Sequence, residues 1–267
     1  MSDVQIIELN PDNIGDYGVC GYKDAKKHIE LQKKIDWFAE YYPKGLRISI
    51  VVTKEGGYQG MLEYIPGEYA HRPVEAQGYM FIHCIFVGFK KEYKGKGYAT
   101  LLLEACIKEA KDKQMLGVAV VTRKGSFMVN SAFFLKKHFQ LADTAKPDFN
   151  LMVLKFDQTS KNPLFKQNMA ENTKKYPSGV TILCSAQCPY TEKNVHAIIE
   201  SANALGIKTQ LIDLKDAVAA QNSPCAFGTF CILYNGKIIS HHPISNTRFI
   251  NIMKKELATL GTRKNTL

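Results

Sequence analysis

The run Lys94-Gly95-Lys96-Gly97-Tyr98-Ala99 stands between an apolar stretch, Phe81 to Val87, that reads as a strand, and a stretch from Tyr98 to Lys113 that reads as a helix. Small residues at a strand-to-helix junction let successive backbone N–H groups converge on one point. The positive end of the helix and two lysines add to the same potential, so the turn suits a pyrophosphate. The Walker spacing of Gly, four residues and Gly-Lys-Ser/Thr is absent, and no third glycine completes a dinucleotide fingerprint. The expected ligand is therefore a phosphorylated cofactor that is not hydrolysed at the phosphates.

Lys94, Gly97 and Ala99 fill the pattern Gln/Arg, two residues, Gly, one residue, Gly/Ala, with lysine in the first place. This resembles the acyl-CoA motif of the GNAT acetyltransferases. Residues 1 to 156 follow that family in element order: a strand Val4 to Leu9, helices near Lys23 to Tyr42, strands Leu46 to Thr53 and Tyr58 to Ile65, the motif strand and helix, a strand Gly117 to Val121, a helix around Asn130 to Lys137, and a strand Phe149 to Phe156. The resemblance implies an α/β fold with a mixed, splayed central sheet flanked by helices. It also implies direct transfer of an acetyl group from acetyl-CoA to a primary amine, leaving CoA as product. Pyrophosphate would rest on the N–H groups of Gly95, Lys96, Gly97, Tyr98 and Ala99, with Lys94 and Lys96 adding charge, and pantetheine would run along Phe86 and Val87. Homodimerisation is a family expectation.

With 267 residues, 45% of them apolar, the chain can bury substantial cores and is long enough for two domains. No apolar run reaches the ~18 residues of a membrane span, and MSDVQIIELN lacks a signal pattern, so the expected location is cytoplasmic. Seven cysteines, an odd number, fall in core-like segments, as reduced thiols do. The net charge of +10 divides into +4 over residues 1 to 156 and +6 beyond. The lysines are interspersed with acids and form no basic stripe, which argues against nucleic acid as a partner.

Asp157 to Ser178 is polar, carries two prolines and interrupts the strand patterns. We place a GNAT domain at 1–156, a linker at 157–176 and a second domain at 177–267. The second reads as strand Val180 to Cys184, helix Thr191 to Leu205, strand Lys208 to Leu214, a helical stretch Lys215 to Ala220, strands Thr229 to Tyr234 and Lys237 to His241, and a helix from Asn246. Asn235-Gly236 between the last two strands is a strong hairpin signal, since both residues tolerate positive φ. A βαβ unit followed by a hairpin and a helix is the thioredoxin-like order.

Cys188-Pro189-Tyr190-Thr191 sits at the first strand-to-helix turn, where thioredoxins and glutaredoxins carry CxxC. A helix N-terminus would favour a thiolate at Cys188. Thr191 replaces the second cysteine, and Phe227-Gly228 stands where those families place a proline, which leaves a monothiol, unless Cys184 or Cys225 resolves it, or a relic fold used for packing or acceptor binding. A GNAT domain combined with QCPYT, PCAFGTF, YNGK and HPISNTRF resembles the YoaP-like acetyltransferases, bacterial proteins of this two-domain layout.

For the base, strand alternation puts Phe81, His83, Ile85 and Val87 on one face, opposite Ile82, Cys84 and Phe86. His83 is the first candidate to deprotonate an ammonium and Glu63 the second. A satisfied core histidine is the competing reading of His83. Phe134 falls at the place where many GNAT enzymes carry a tyrosine, and it cannot protonate the departing thiolate; Ser131 or water is the alternative. Asn130 would hydrogen-bond pantetheine or cap a helix. His241-His242 with nearby cysteines lacks zinc spacing, so no metal is expected. The reading preferred is an acetyl-CoA-dependent N-acetyltransferase whose C-terminal domain shapes the acceptor site. The alternatives are a monothiol redox protein using Cys188 and a CoA-binding protein without turnover.

Overall fold

The computed structural model describes residues 4–54, 57–88 and 91–264. Strands β1 (Val4–Glu8), β2 (Arg47–Thr53), β3 (Gly57–Pro66), β5 (Tyr79–Val87), β6 (Gly117–Arg123), β7 (Gln140–Ala145) and β8 (Phe149–Lys155) form a seven-stranded sheet in the order β1-β2-β3-β5-β6-β8-β7. β5 and β6 are parallel and the other neighbours antiparallel. Between these strands lie the short α1 (Ile14–Tyr17), α2 (Ile29–Tyr41), the two-residue β4 (Val74–Glu75), α3 (Tyr98–Asp112) and α4 (Ser131–Leu135).

The helices bury the stripes their spacing prescribes. Tyr98, Leu102, Cys106 and Ala110 of α3 recur every four residues and pack with Leu62, Met80, Ile82, Val118 and Met152 on one sheet face. On the opposite face, Leu31, Phe38 and Tyr41 of α2 cover Ile48, Ile50, Met61 and Ile65. The rest of that face, Tyr79, Phe81, Ala119, Val121, Phe149, Leu151 and Val153, has no helix of its own. The C-terminal half of the chain covers it.

That half contains β9 (Leu164–Phe165), α5 (Met169–Asn172), β10 (Val180–Cys184), α6 (Val195–Ala204), β11 (Thr209–Asp213), α7 (Ala217–Gln221), β12 (Phe230–Tyr234), β13 (Lys237–Ser240) and α8 (Asn246–Lys264). Its sheet runs β11-β10-β12-β13, with β10 parallel to β11 and antiparallel to β12. Asn235 and Gly236 both take positive φ (47° and 76°), so the β12–β13 hairpin turns where the Asn-Gly pair predicts. Val180, Ile182, Phe230, Ile232 and Phe249 share one continuous core with Phe81 and Phe149 of the first sheet.

The connection between the sheets is docked along its length. β9 pairs with β4, and the backbone N–H of Phe165 donates to Asp143 Oδ2 at 2.8 Å. Gly228 completes the seat. Its φ is +79°, and a Cβ there would stand 2.6 Å from the His71 carbonyl oxygen, so glycine lets the 225–229 loop lie directly on the His71–Arg72 backbone.

Candidate active site

β5 pairs with β6 only from Tyr79↔Gly117 to Ile82↔Val120, while on its other side it stays in register with β3 as far as Gly60↔Val87. The two parallel strands therefore diverge after Ile82. A cavity of about 20 Å³ lies in the wedge, lined by Ile85, Val121, Val129 and Phe134 among others. The 94–99 turn adjoins α3 on this sheet face. Gly95 and Gly97 take φ of +74° and +82°, values that favour glycine, and open space surrounds the position a Cβ would occupy on either. Gly97 is the N-cap of the fifteen-residue α3 and has no side chain to satisfy the first-turn N–H groups. Lys94 and Lys96 are exposed, and the Tyr98 side chain is packed in the core, so Tyr98 and Ala99 offer the turn their backbone.

A β-bulge corrects the expected alternation of β5. Glu63 pairs with Cys84 and Tyr64 with Ile82, so His83 is the extra residue. Ile82 and Ile85 consequently share the α3 face, and Val87 packs there too. His83 and Cys84 both reach the opposite side, where Phe86 packs with the α2 cluster.

There a cavity of about 30 Å³, room for about one water, is lined by Cys20, Glu63, Arg72, His83 and Cys84 of the first half of the chain. Gln187, Cys188, Phe227 and Thr229 of the second half complete it. His83, Cys84 and Phe127 line this cavity and the wedge alike. The C-terminal half thus closes the side of the splay opposite the glycine turn.

His83 is not free to act as the base. Its Nε2 accepts the His71 backbone N–H at 2.9 Å, which leaves the proton on Nδ1, donated to Glu63 Oε1 at 3.0 Å. Burial lowers its pKa further, so the ring is neutral and both nitrogens are committed. His71 is similarly spent, accepting from Trp37 Nε1 at 3.0 Å. Glu63 is equally occupied. Lys34 Nζ donates to its Oε2, and Gln187 Nε2 to its Oε1 at 2.8 Å. Burial alone would raise this carboxyl, but Lys34 and His83 overcome it and hold the pKa at about 2. Lys34 also donates to the Gln187 carbonyl at 2.6 Å, tying α2 to the C-terminal half.

Cys188 departs from the thiolate expectation for two reasons. A single 3₁₀ turn, Pro189–Thr191, follows it, and α6 begins only at Val195, so no long helix directs its dipole at the sulfur. Burial then pushes the thiol up to about 11. The Asn130 side chain accepts from Ala132 N at 2.9 Å and so caps α4. Phe134, fully buried, forms part of the wedge wall. His241 lies away from this pocket, and among the described residues no group of three His, Cys, Asp or Glu side chains is placed to hold a metal ion.

Two residues of the pocket were not singled out from sequence. Arg72 is 4% exposed and has no carboxylate in ion-pair range among the described residues. Its Nη1 donates to the His71 carbonyl and to Thr229 Oγ1, both at 3.1 Å, and its guanidinium lies over the Phe227 ring. Among ionisable neighbours, Cys84 acts on it most strongly. Cys84 itself is half-buried, and its thiol is held below the ordinary value by a hydrogen bond with Cys20, against the effect of burial.

A splayed parallel pair beside a glycine turn that opens a helix defines an acyltransferase of the GNAT class. The acetyltransferase (GNAT) family model matches residues 17–130, and a YoaP-like model matches residues 209–251. The chain is 30% identical over 258 residues, 96% of its own length and 99% of the relative's, to YoaP of Bacillus subtilis (strain 168), described as an uncharacterised N-acetyltransferase. The chain belongs to the GNAT N-acetyltransferases of the YoaP type. Solved structures similar to parts of it include PaiA N-acetyltransferase from Thermoplasma acidophilum with coenzyme A (16% identity, 58% of this chain and 99% of that one, TM-score 0.41). YhbS from Escherichia coli with CoA is another (13% identity, 62% and 91%, TM-score 0.40).

Proposed function

We propose that this protein transfers the acetyl group of acetyl-CoA by direct attack to a primary amine whose nitrogen enters the small pocket between the two halves of the chain. Acetyl-CoA is the donor because the family is that of the N-acetyltransferases and the 94–99 turn suits its pyrophosphate. In this reading the backbone of Gly95 to Ala99 holds the pyrophosphate with Lys94 and Lys96, and the pantetheine arm passes Phe86 and Val87 into the wedge. The observation that carries it is the end of β5–β6 pairing at Ile82↔Val120, which opens the sheet beside that turn. Residues 1–156 act as the transferase domain, 157–176 as the linker and 177–267 as a cover for the acceptor. The strand order β11-β10-β12-β13 supports a thioredoxin-like reading of that cover.

In this reading Cys84 takes the proton, since it lines both the wedge and the acceptor pocket and lies close to Arg72, whose charge has no carboxylate partner among the described residues. An acceptor ammonium gives up two protons. The Cys84 thiolate takes the first and frees the amine to attack the thioester carbonyl. The second goes to the departing CoA thiolate, since Phe134 has no proton to supply. His83, Glu63 and Lys34 position the bulge. The Cys188 thiol lines the acceptor end, and with its pKa pushed up it does not support the monothiol redox alternative. Calorimetric titration with acetyl-CoA tests the reading. Saturable binding is expected for the wild type and loss of binding for Gly97→Asp, whose side chain is strained at φ +82° and repels phosphate. A folded Gly97→Asp variant with unchanged affinity would refute the cofactor site.

A further inference from the structure

Between the end of β7, the 165–173 segment and the C-terminal half, a cavity of about 380 Å³ that shares no lining residue with the splay is lined by Cys225, His241, Lys146, Lys166, Phe165 and Met169. It is more than ten times larger than the acceptor pocket and lies within the size range of small-molecule sites. Cys225 Sγ stands 3.2 Å from His241 Nδ1. Thiol and imidazole thus meet on the wall of a space that the acetyl-transfer reading does not use. From this geometry we propose that Cys225 and His241 form a second, thiol-based site that takes a small anionic disulfide and captures half of it as a mixed disulfide.

The electrostatics favour the ionised thiol. Burial alone would raise the Cys225 pKa, but hydrogen bonds with Cys231 and His241 and the charge of His241 outweigh it and bring it to about 5. The charged and titratable groups around the sulfur are His241 after β13, Cys231 on β12, Lys146 and Lys166 on the cavity wall, and Arg72 from the first half of the chain. Asp143, the nearby acid, is engaged with the Phe165 N–H. The balance is positive, which sets the preference for an anionic ligand. In the reaction, the Cys225 proton passes to His241 and the thiolate attacks one sulfur of the ligand. The ligand S–S bond breaks as the new S–S bond forms, and the departing thiolate takes the proton from His241. One thiol and one disulfide become one mixed disulfide and one free thiol, with no net redox change.

The probe is 5,5′-dithiobis(2-nitrobenzoate), a dianionic disulfide, applied to the full-length protein at pH 6. A thiol near pKa 5 is several-hundred-fold more ionised there than one near 8.5 but roughly 40-fold less nucleophilic, for a net advantage of about tenfold. We expect one thiol per chain to react about tenfold faster than the others, mass spectrometry to place the adduct on Cys225, and Cys225→Ser to remove that phase. His241→Gln should slow it at pH 6 and restore it towards pH 9, and neutral 2,2′-dithiodipyridine should show a smaller advantage than the dianion. A fast phase that survives Cys225→Ser, or a rate at pH 6 unchanged by His241→Gln, would overturn the proposal. Acetyl-CoA affinity should be the same in both variants, which separates this site from the transferase reading.

Discussion

At Cys84 a half-buried thiol faces Arg72 and the mouth of the splay, whereas His83, one position earlier, commits both ring nitrogens to the protein. If the thiolate is the base, Cys84→Ala should lower kcat by about 10²- to 10⁴-fold while acetyl-CoA still binds. His83→Gln should leave the pH dependence of kcat in place. Steady-state rates across pH decide between them: an unaltered kcat in Cys84→Ala, or a lost limb in His83→Gln, would return the role to the histidine. The glycine turn before α3 was legible in sequence because its signal is local, two glycines and two lysines at a helix start. Cys84 was not, because one bulge residue exchanges the faces of all that follows, and a bulge leaves no mark on strict alternation. Arg72, in His71-Arg72-Pro73, carries no periodic signal either.

In α2, Leu31, Lys34, Phe38 and Tyr41 fall on one stripe, and a lysine on an otherwise apolar stripe was the available sign of a buried cation. Lys34 faces Glu63 with both side chains at most 1% exposed. Removing one partner strands the other, so Lys34→Met should cost about 3–5 kcal/mol in urea unfolding. Lys34→Met with Glu63→Leu should recover only part of that loss, because the buried His83 Nδ1–H and Gln187 side chain then lose their acceptor. Because the Glu63 pKa is depressed in the folded state, its contribution is complete above the ordinary value of 4.5 and disappears as pH falls towards 2. The wild-type urea midpoint should fall over that window, and the double variant should lose that component; equal slopes would show that the pair does not govern acid stability. Most long elements matched their periodicity within a few residues. β7 was missed because Gln140 to Ala145 is exposed or half-buried and shows no apolar alternation, and α6 starts after a 3₁₀ turn instead of at Thr191.

Apart from β7 and the short α1, β4 and β9, the element order of both halves was legible from the chain, but the way they fit together was not, since nothing in the second half's pattern says which surface it will cover. It covers the bare face of the first sheet, sealing Phe81, Phe149 and Leu151, and each such side chain is worth about 1.5–3 kcal/mol in burial. A large apolar interface of this kind couples the two halves. Differential scanning calorimetry should therefore show one cooperative transition, with calorimetric and van't Hoff enthalpies in agreement. Two resolved transitions would mean that each half is stable alone.

The shared core also has a meaning in time. A ribosome adding about 5–20 residues per second needs on the order of 5–20 s to make the roughly 100 residues that follow β8. Until that interval ends, the face that Phe81 and Phe149 occupy on the newly made first sheet has only an incomplete cover. The last part of that cover to leave the ribosome is α8, whose Phe249 and Met253 complete the core.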